Sequence, residues 1–386
     1  MKNLLNKIIR YRIPDPEYRI KRQNRVSSIW NPTSGILYLA TAVLLSLTFL
    51  SCEEMLLGPE QENTPKSNFE IMWENFDKNY ALFPVKNVNW DSLHEVYGSK
   101  ITSSTTQTEL WNIMGDMIAK LNDGHVTVFN KDITEWYGSS EINRRKIEDF
   151  SFELIKNKYL VDIKTAGGGY FAYGIVKSSL SSKKLVYIYI PTFAGSNTDD
   201  ESKWAYDIDI IVQKLYDCDA IIIDLRNNGG GLKVTGWTIA SVFIDREITF
   251  FYQWEKTGPG HNDFGEAMPL TISPRNGVLH YNKKIALLTN RLSASGSEHF
   301  AQIFKNLSYA TQIGDTTFGA FGDKLGAGLL PNGWTFQYPC RLTKTPEGYC
   351  PEGIGIIPDI LVENTKAGID AGRDNVIQRA IDYLSQ

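Results

Sequence analysis

The chain has 386 residues, 42% hydrophobic and 22% charged, a globular composition with material for one large or two ordinary domains. Its charge is uneven: residues 1–51 hold eight Lys/Arg and two Asp/Glu, which leaves 32 basic against 42 acidic residues, a net charge of −10, in the remainder. So acidic a body excludes the basic face that a nucleic-acid partner requires.

In chain order, the basic stretch Lys2–Arg25 leads to the apolar run Ile36–Leu50 and then to Ser51-Cys52. That run is short for a spanning helix and suits the apolar part of an export signal. A small residue directly before a cysteine resembles a bacterial lipoprotein processing site, with Cys52 as the lipidated first residue. An ordinary membrane anchor or a signal cleaved elsewhere are the alternatives. The expectation is an exported protein, lipid-anchored to the cell envelope. Glu53-Glu54 after the cysteine hints at the outer membrane. Residues 52–67 are polar, with prolines and a glycine, as in a tether.

Helical periodicity follows, with Phe69, Met72, Trp73, Phe76 and Tyr80 on one face. A second helix is expected from Ser92, with Glu95 completing a capping box, and a third from Thr106 with Glu109. These define a helical domain over 68–125, ending at the turn before His125. A lone histidine in a turn is ordinarily a solvated or structural residue.

From 126 to 386 strand signals dominate, and the expected fold class is α/β. Tyr159–Ile163 and Tyr170–Val176 read as strands around the turn Gly167–Gly169. Leu185–Ile190 is a strand, and Asp199 or Asp200 should cap the next helix. Ala220–Leu225 is a continuous apolar strand of the kind buried on both faces. It runs into Arg226-Asn227-Asn228-Gly229-Gly230-Gly231, a structural turn or a loop whose N–H groups hold a developing anion. Lys284–Thr289 is another buried strand, followed by Ser293, Ser295 and Ser297 at a strand-to-helix turn. Each serine could cap the helix, and one could be a nucleophile. A helix over Val376–Leu384 closes the chain.

Cys218 sits in an apolar context. Cys340 and Cys350 flank a turn-like stretch and could pair as a hairpin disulfide in an oxidising compartment. There is no Cys-x-x-Cys and no His-Glu-x-x-His, so no metal and no cofactor are expected.

Five elements occur in one order: LNDGH (121–125), IIIDLRNNGGG (221–231), LTNRLSASGSE (288–298), IGDTTFG (313–319) and EGIGIIPD (352–359). Together they resemble the serine peptidases that include C-terminal processing peptidases and tricorn protease. The match covers most of residues 69–384. The resemblance implies a β/α catalytic domain over 126–386, like those of crotonase and the Clp protease, behind the N-terminal helical domain. It implies Ser295, first serine of Ser-x-Ser-Glu, as nucleophile, with an oxyanion hole from the N–H of Gly296 and one from Gly229 or Gly230. Ser293 and Ser297 then revert to structural roles.

Within that family, processing peptidases take their base from a Thr-x-Gly-Lys-Gly loop. Here the loop reads Thr317-Phe318-Gly319-Ala320-Phe321-Gly322, with Ala320 in the lysine's place and Lys324 out of register. The tricorn-like branch uses a histidine, matched by His125, and a glutamate, matched by Glu352, that orients and stabilises the site. Tricorn has a serine before its histidine where this chain has Gly124. His299, one helical turn after Ser295, is the rival base. The stretch between His125 and Leu185 is too short for the PDZ domain that members often carry, so none is expected. The implied substrate is a peptide or unfolded chain selected by the cleft. The alternative is a non-catalytic ligand- or peptide-binding lipoprotein, since the fold family includes an interphotoreceptor retinoid-binding protein. Trp204, Trp237, Trp254 and Trp334 would suit such a ligand cleft, or the core.

Overall fold

The computed structural model describes residues 62–131, 135–142, 147–194 and 203–386. The expected signal segment, Cys52, most of the tether and the two aspartates at 199–200 lie outside them. No helix among the described residues is long and apolar enough to cross a membrane.

Helix α1 (Pro65–Asn79) starts where Thr64 Oγ1 accepts the Ser67 N–H at 3.1 Å and Pro65 presets the first turn. The last residues of the expected tether therefore belong to the helix. Helix α2 (Trp90–Gly98) is capped by Asn89, whose Oδ1 accepts the Ser92 N–H at 2.9 Å. A box starting at Ser92 is not what forms, because Asn89 already satisfies that donor. Helix α3 (Gln107–Ile118) has the expected Thr106–Glu109 capping box.

The three helices have one apolar face each, and they bury it against a sheet rather than against themselves alone. Phe76 packs on Phe336 and Tyr338 at 5.8 and 5.0 Å between ring centroids, and Trp111 meets Trp334 edge-on at 5.3 Å. Phe336 and Tyr338 belong to strand β12 (Thr335–Lys344), and β1 (Thr127–Asn130) adds Val128 to the same core. The boundary expected at residue 125 is thus no break in packing.

That sheet is antiparallel, with β2 (Glu135–Gly138), β1, β12, β7 (Ile248–Glu255) and β8 (Met268–Ile272) in order, and β11 (Asp323–Leu329) also on β12. The second sheet runs β13 (Ile360–Leu361), β10 (Ala310–Gly314), β9 (Lys284–Thr289), β6 (Ala220–Asp224), β5 (Leu185–Tyr189), β4 (Phe171–Val176), β3 (Leu160–Ala166). It is parallel from β13 to β5 and antiparallel at β4 and β3.

Alternation along the central strands sorts their side chains to two cores. Val186, Ile188, Ile221, Ile223, Ile285 and Leu287 face α5 (Ile208–Leu215), α6 (Lys233–Ala240) and α7 (Gly296–Lys305). Leu185, Tyr187, Ala220, Ile222, Ala286 and Leu288 face α4 (Phe152–Tyr159) and, beyond the short α8 (Lys366–Asp370), α9 (Asn375–Ser385). Burial on both sides is why these strands read as unbroken apolar runs. Helix α5 begins after a tight turn at Lys203–Asp207, later than a cap at 199–200 would start it.

Cys340 and Cys350 are free thiols, contrary to the expected disulfide. Cys340 lies within β12, between β11 and β7. The chain after the turn at 345–349 departs toward Glu352 instead of returning as a paired strand. Cys218 is buried against Tyr281, with 3.4 Å from Sγ to the hydroxyl.

At the end of β6, Arg226 is 1% exposed and spans two buried carboxylates. Its guanidinium donates to Asp224 at 2.6–3.0 Å and to Asp374, the cap of α9, at 2.8 and 2.9 Å. Tyr187 donates to Asp224 as well, at 2.7 Å. Arg226→Met would leave two uncompensated buried charges, and urea unfolding should show a loss of about 3–5 kcal/mol. A loss under about 1 kcal/mol would show that the network does not hold the fold.

Candidate active site

The loops after β6 and β9 meet at the carboxyl ends of neighbouring parallel strands, where open α/β sheets form crevices. Ser295 closes the turn after β9 with φ 54° and ψ −114°, a conformation that costs a non-glycine residue about 1–3 kcal/mol. Its Oγ lies 3.2 Å from His125 Nε2. Ser293 Oγ instead donates to the Leu225 carbonyl at 2.8 Å, and Ser297 Oγ to the Asn228 carbonyl at 2.8 Å. Of the three candidates, only Ser295 meets a histidine.

The glycine loop lies directly against this turn. Gly230 has φ 90°, and a Cβ there would sit 2.6 Å from the Ala294 carbonyl oxygen and 2.7 Å from Gly296 N. Only glycine fits so close a backbone approach. Asn228 pins the loop: its Nδ2 donates to the Ile190 carbonyl and its Oδ1 accepts the Gly230 N–H, both at 2.9 Å. The Gly230 N–H is therefore already engaged, and of the two glycine donors anticipated for an oxyanion hole Gly229 is the one left. At the start of α7, Ser295 N–H is taken by Glu298, Ser297 N–H by Ala294, and the Glu298 and His299 N–H groups by the Ser295 carbonyl. The Gly296 N–H has no acceptor among the described residues. A single open donor at the N-terminus of a helix, beside the serine, is the arrangement that favours an anion.

His125 follows the left-handed corner at Asn122, φ 44°. Its N–H donates to Asp123 Oδ1 at 2.7 Å, and Gln337 Nε2 donates to its carbonyl at 3.2 Å. Burial holds the imidazole below its ordinary pKa, against the opposing pull of Asp123 and Asp323. The ring is thus neutral near pH 7. Nδ1 is buried without a partner among the described residues. A Cβ at Gly124 would fall 2.5 Å from the Phe318 ring and 2.8 Å from Ala320 Cβ, so a serine there would collide with this packing.

The rival His299 is buried, its ring edge-on to Phe251 at 5.2 Å, and burial with the nearby Lys233 drives its pKa down to about 3. No hydrogen bond joins its ring to Ser295 among the described residues. Lys324 pairs with Glu255 at the surface, and Ala320 is buried with its N–H on Glu298. Glu352 touches neither His125 nor Ser295 through a hydrogen bond. It accepts the N–H groups of Phe321 and Gly322 at 2.8 and 3.1 Å and the Lys86 ammonium at 3.1 Å. Its support of the site runs through that loop.

Glu298, not among the site residues expected from the sequence, joins the Ser295 turn to the loop at 317–320. Fully buried, it accepts from Ser295 N–H at 2.9 Å, Thr317 Oγ1 and Gly319 N–H at 2.6 Å, and Ala320 N–H at 2.8 Å. The signal was present: Ser295-x-x-Glu298 has capping-box spacing. The tryptophans considered for a ligand cleft are split between cores, Trp204 and Trp237 in one, Trp254 and Trp334 in the other. No group of side chains able to hold a metal occurs among the described residues.

Residues 184–362 match Peptidase family S41, and residues 61–119 match the tricorn protease C1 domain. Over these stretches the chain is similar to peptidase family S41 and to tricorn protease. Among its relatives is a carboxyl-terminal-processing protease of Picosynechococcus, 30% identical over 171 residues, 44% of this chain and 38% of that protein. A probable CtpA-like serine protease of Staphylococcus epidermidis is 33% identical over 173 residues, 44% of this chain and 32% of that protein. The chain thus spans about a third of the length of these curated relatives. A solved structure of a putative peptidase from Parabacteroides merdae is 29% identical, with a TM-score of 0.74 over 84% of this chain and 98% of that one. The S41 fold, with helices before a mixed-sheet body, is shared along nearly the whole described length.

Burial raises the Glu298 carboxyl to about 7, so between its ordinary 4.5 and 7 the folded state holds a proton the unfolded chain has released. Stability must fall as pH rises through that window, by up to about 3 kcal/mol, and stay low above it. Urea unfolding at pH 5 and 8 should show a smaller fall in Glu298→Gln than in wild type. Equal falls would mean that Glu298 is ionised throughout.

Proposed function

We propose that this chain is an exported, lipid-anchored serine peptidase of the histidine-base type, with Ser295 as nucleophile and His125 as general base. The observation that carries the reading is the 3.2 Å contact between His125 Nε2 and Ser295 Oγ, made by residues 170 positions apart. A neutral imidazole at that distance takes the hydroxyl proton as Oγ bonds to the scissile carbonyl carbon. The carbonyl oxygen becomes an oxyanion facing Gly296 N–H, with Gly229 N–H as the second donor. The imidazolium then gives its proton to the leaving amine as the C–N bond breaks. Water attacks the acyl-enzyme by the same route, releasing the acid and restoring Ser295. Glu298 and Glu352 hold the loops that frame this geometry and exchange no proton with substrate. The likeness to carboxyl-terminal-processing proteases supports a peptide or unfolded chain as the substrate.

The test is labelling of the full-length chain by a fluorophosphonate, with the adduct located by intact mass and peptide mapping. Wild type and His299→Ala should label at Ser295. Ser295→Ala should not label, and His125→Ala should label at least about 100-fold more slowly. Equal labelling in His125→Ala would remove the base assignment, and an adduct on another serine would remove the nucleophile.

A further inference from the structure

Lys86 lies between α1 and α2, far in sequence from every residue placed in the mechanism, yet its side chain is only 9% exposed. Its ammonium makes two contacts at 3.1 Å, to Glu352 Oε1 and to the Asn122 carbonyl. Asn122 is the left-handed corner that turns the chain into Asp123 and His125. The other oxygen of Glu352 holds Phe321 and Gly322, next in chain to the Gly319 and Ala320 N–H groups held by Glu298. One line of hydrogen bonds and loop backbone thus joins the histidine corner to the serine turn, and among the described residues Lys86 is the cation in it.

We propose that Lys86 is a positioning residue, which favours the carboxylate form of Glu352 and fastens the His125 corner to the loop at 319–322. This rests on the Ser295–His125 reading. Every hydrogen bond that Glu352 makes through its carboxyl among the described residues is one it accepts, which favours the carboxylate. The titratable groups facing the pair are Asp123 and Tyr80 from the helical side and Cys350 from the segment leading into Glu352. Burial and the Asp123 charge push Glu352 upward, to about 8, and Lys86 pulls against them. Without Lys86 the carboxyl protonates at still higher pH, and a protonated Glu352 cannot grip both N–H groups as a carboxylate does. Since the active form is the carboxylate, the rate rises with pH through the Glu352 range, which lies above that of His125.

The fluorophosphonate labelling rate of the full-length chain, measured from about pH 5 to about pH 10, tests this in wild type, Lys86→Met, Lys86→Arg, Glu352→Gln and Lys86→Met/Glu352→Gln. Circular dichroism checks each fold. Lys86→Met should slow labelling at pH 7 by about 10- to 100-fold and move the acidic limb upward, and Lys86→Arg should restore its position. Glu352→Gln should drop the limb below 6.5, the His125 range, where adding Lys86→Met no longer moves it. A uniform loss of rate with an unmoved limb, or an equal shift in both backgrounds, would overturn the proposal. If Lys86→Met does not fold, an unmoved limb in Glu352→Gln overturns it alone. A wild type that does not label at any pH would instead refute the Ser295–His125 reading.

Discussion

The backbone of Ser295 is the constraint on which the site depends. A serine at φ 54° and ψ −114° does not hold that shape unaided. Glu298 holds its N–H from the helix side, and the carbonyl of Asn228 takes the N–H of Ala294 and the hydroxyl of Ser297 from the glycine-loop side. Gly230 permits the close approach. At this turn the Gly296 N–H has no acceptor among the described residues, so the proposed nucleophile and the proposed oxyanion donor are adjacent residues.

The proposed base comes from elsewhere. His125 stands at the junction of the helices with β1, and its position depends on how the helical segment packs on β12, a strand more than 200 residues later. Two buried carboxylates bridge the gap. Glu298 and Glu352 both grip the loop 319–322, and Lys86 ties Glu352 to the Asn122 carbonyl at the histidine corner. Such networks are weak evidence for stability, because desolvating the charges offsets much of their attraction. Their contribution here is registry between parts of the chain that share no covalent neighbourhood.

Much of this was legible in the residues. The unbroken apolar runs at 220–225 and 284–289 announced strands buried on both faces, and Thr106-x-x-Glu109 announced a helix start. The motif order singled out Ser295 and His125. What escaped was tertiary. The Asn89 cap outcompeted Ser92, and nothing local to Cys340 and Cys350 says that the chain fails to double back. A break at residue 125 looked natural because periodicity changes there, whereas the cores are shared across it. The Gly230 N–H could not be discounted before Asn228 was seen to take it. Glu298 hid inside a common capping pattern whose carboxylate turns out to bind four donors.

In the proposed chemistry Ser295, His125 and Gly296 act on one reacting carbon. A crystal structure of the full-length chain inhibited by a peptidyl boronate tests this most directly. Expected are a tetrahedral boron on Ser295 Oγ, one boronate oxygen about 3 Å from Gly296 N, and His125 Nε2 on the side of the leaving group. Boron on another side chain, or on Ser295 with its oxygen turned away from Gly296, would contradict it.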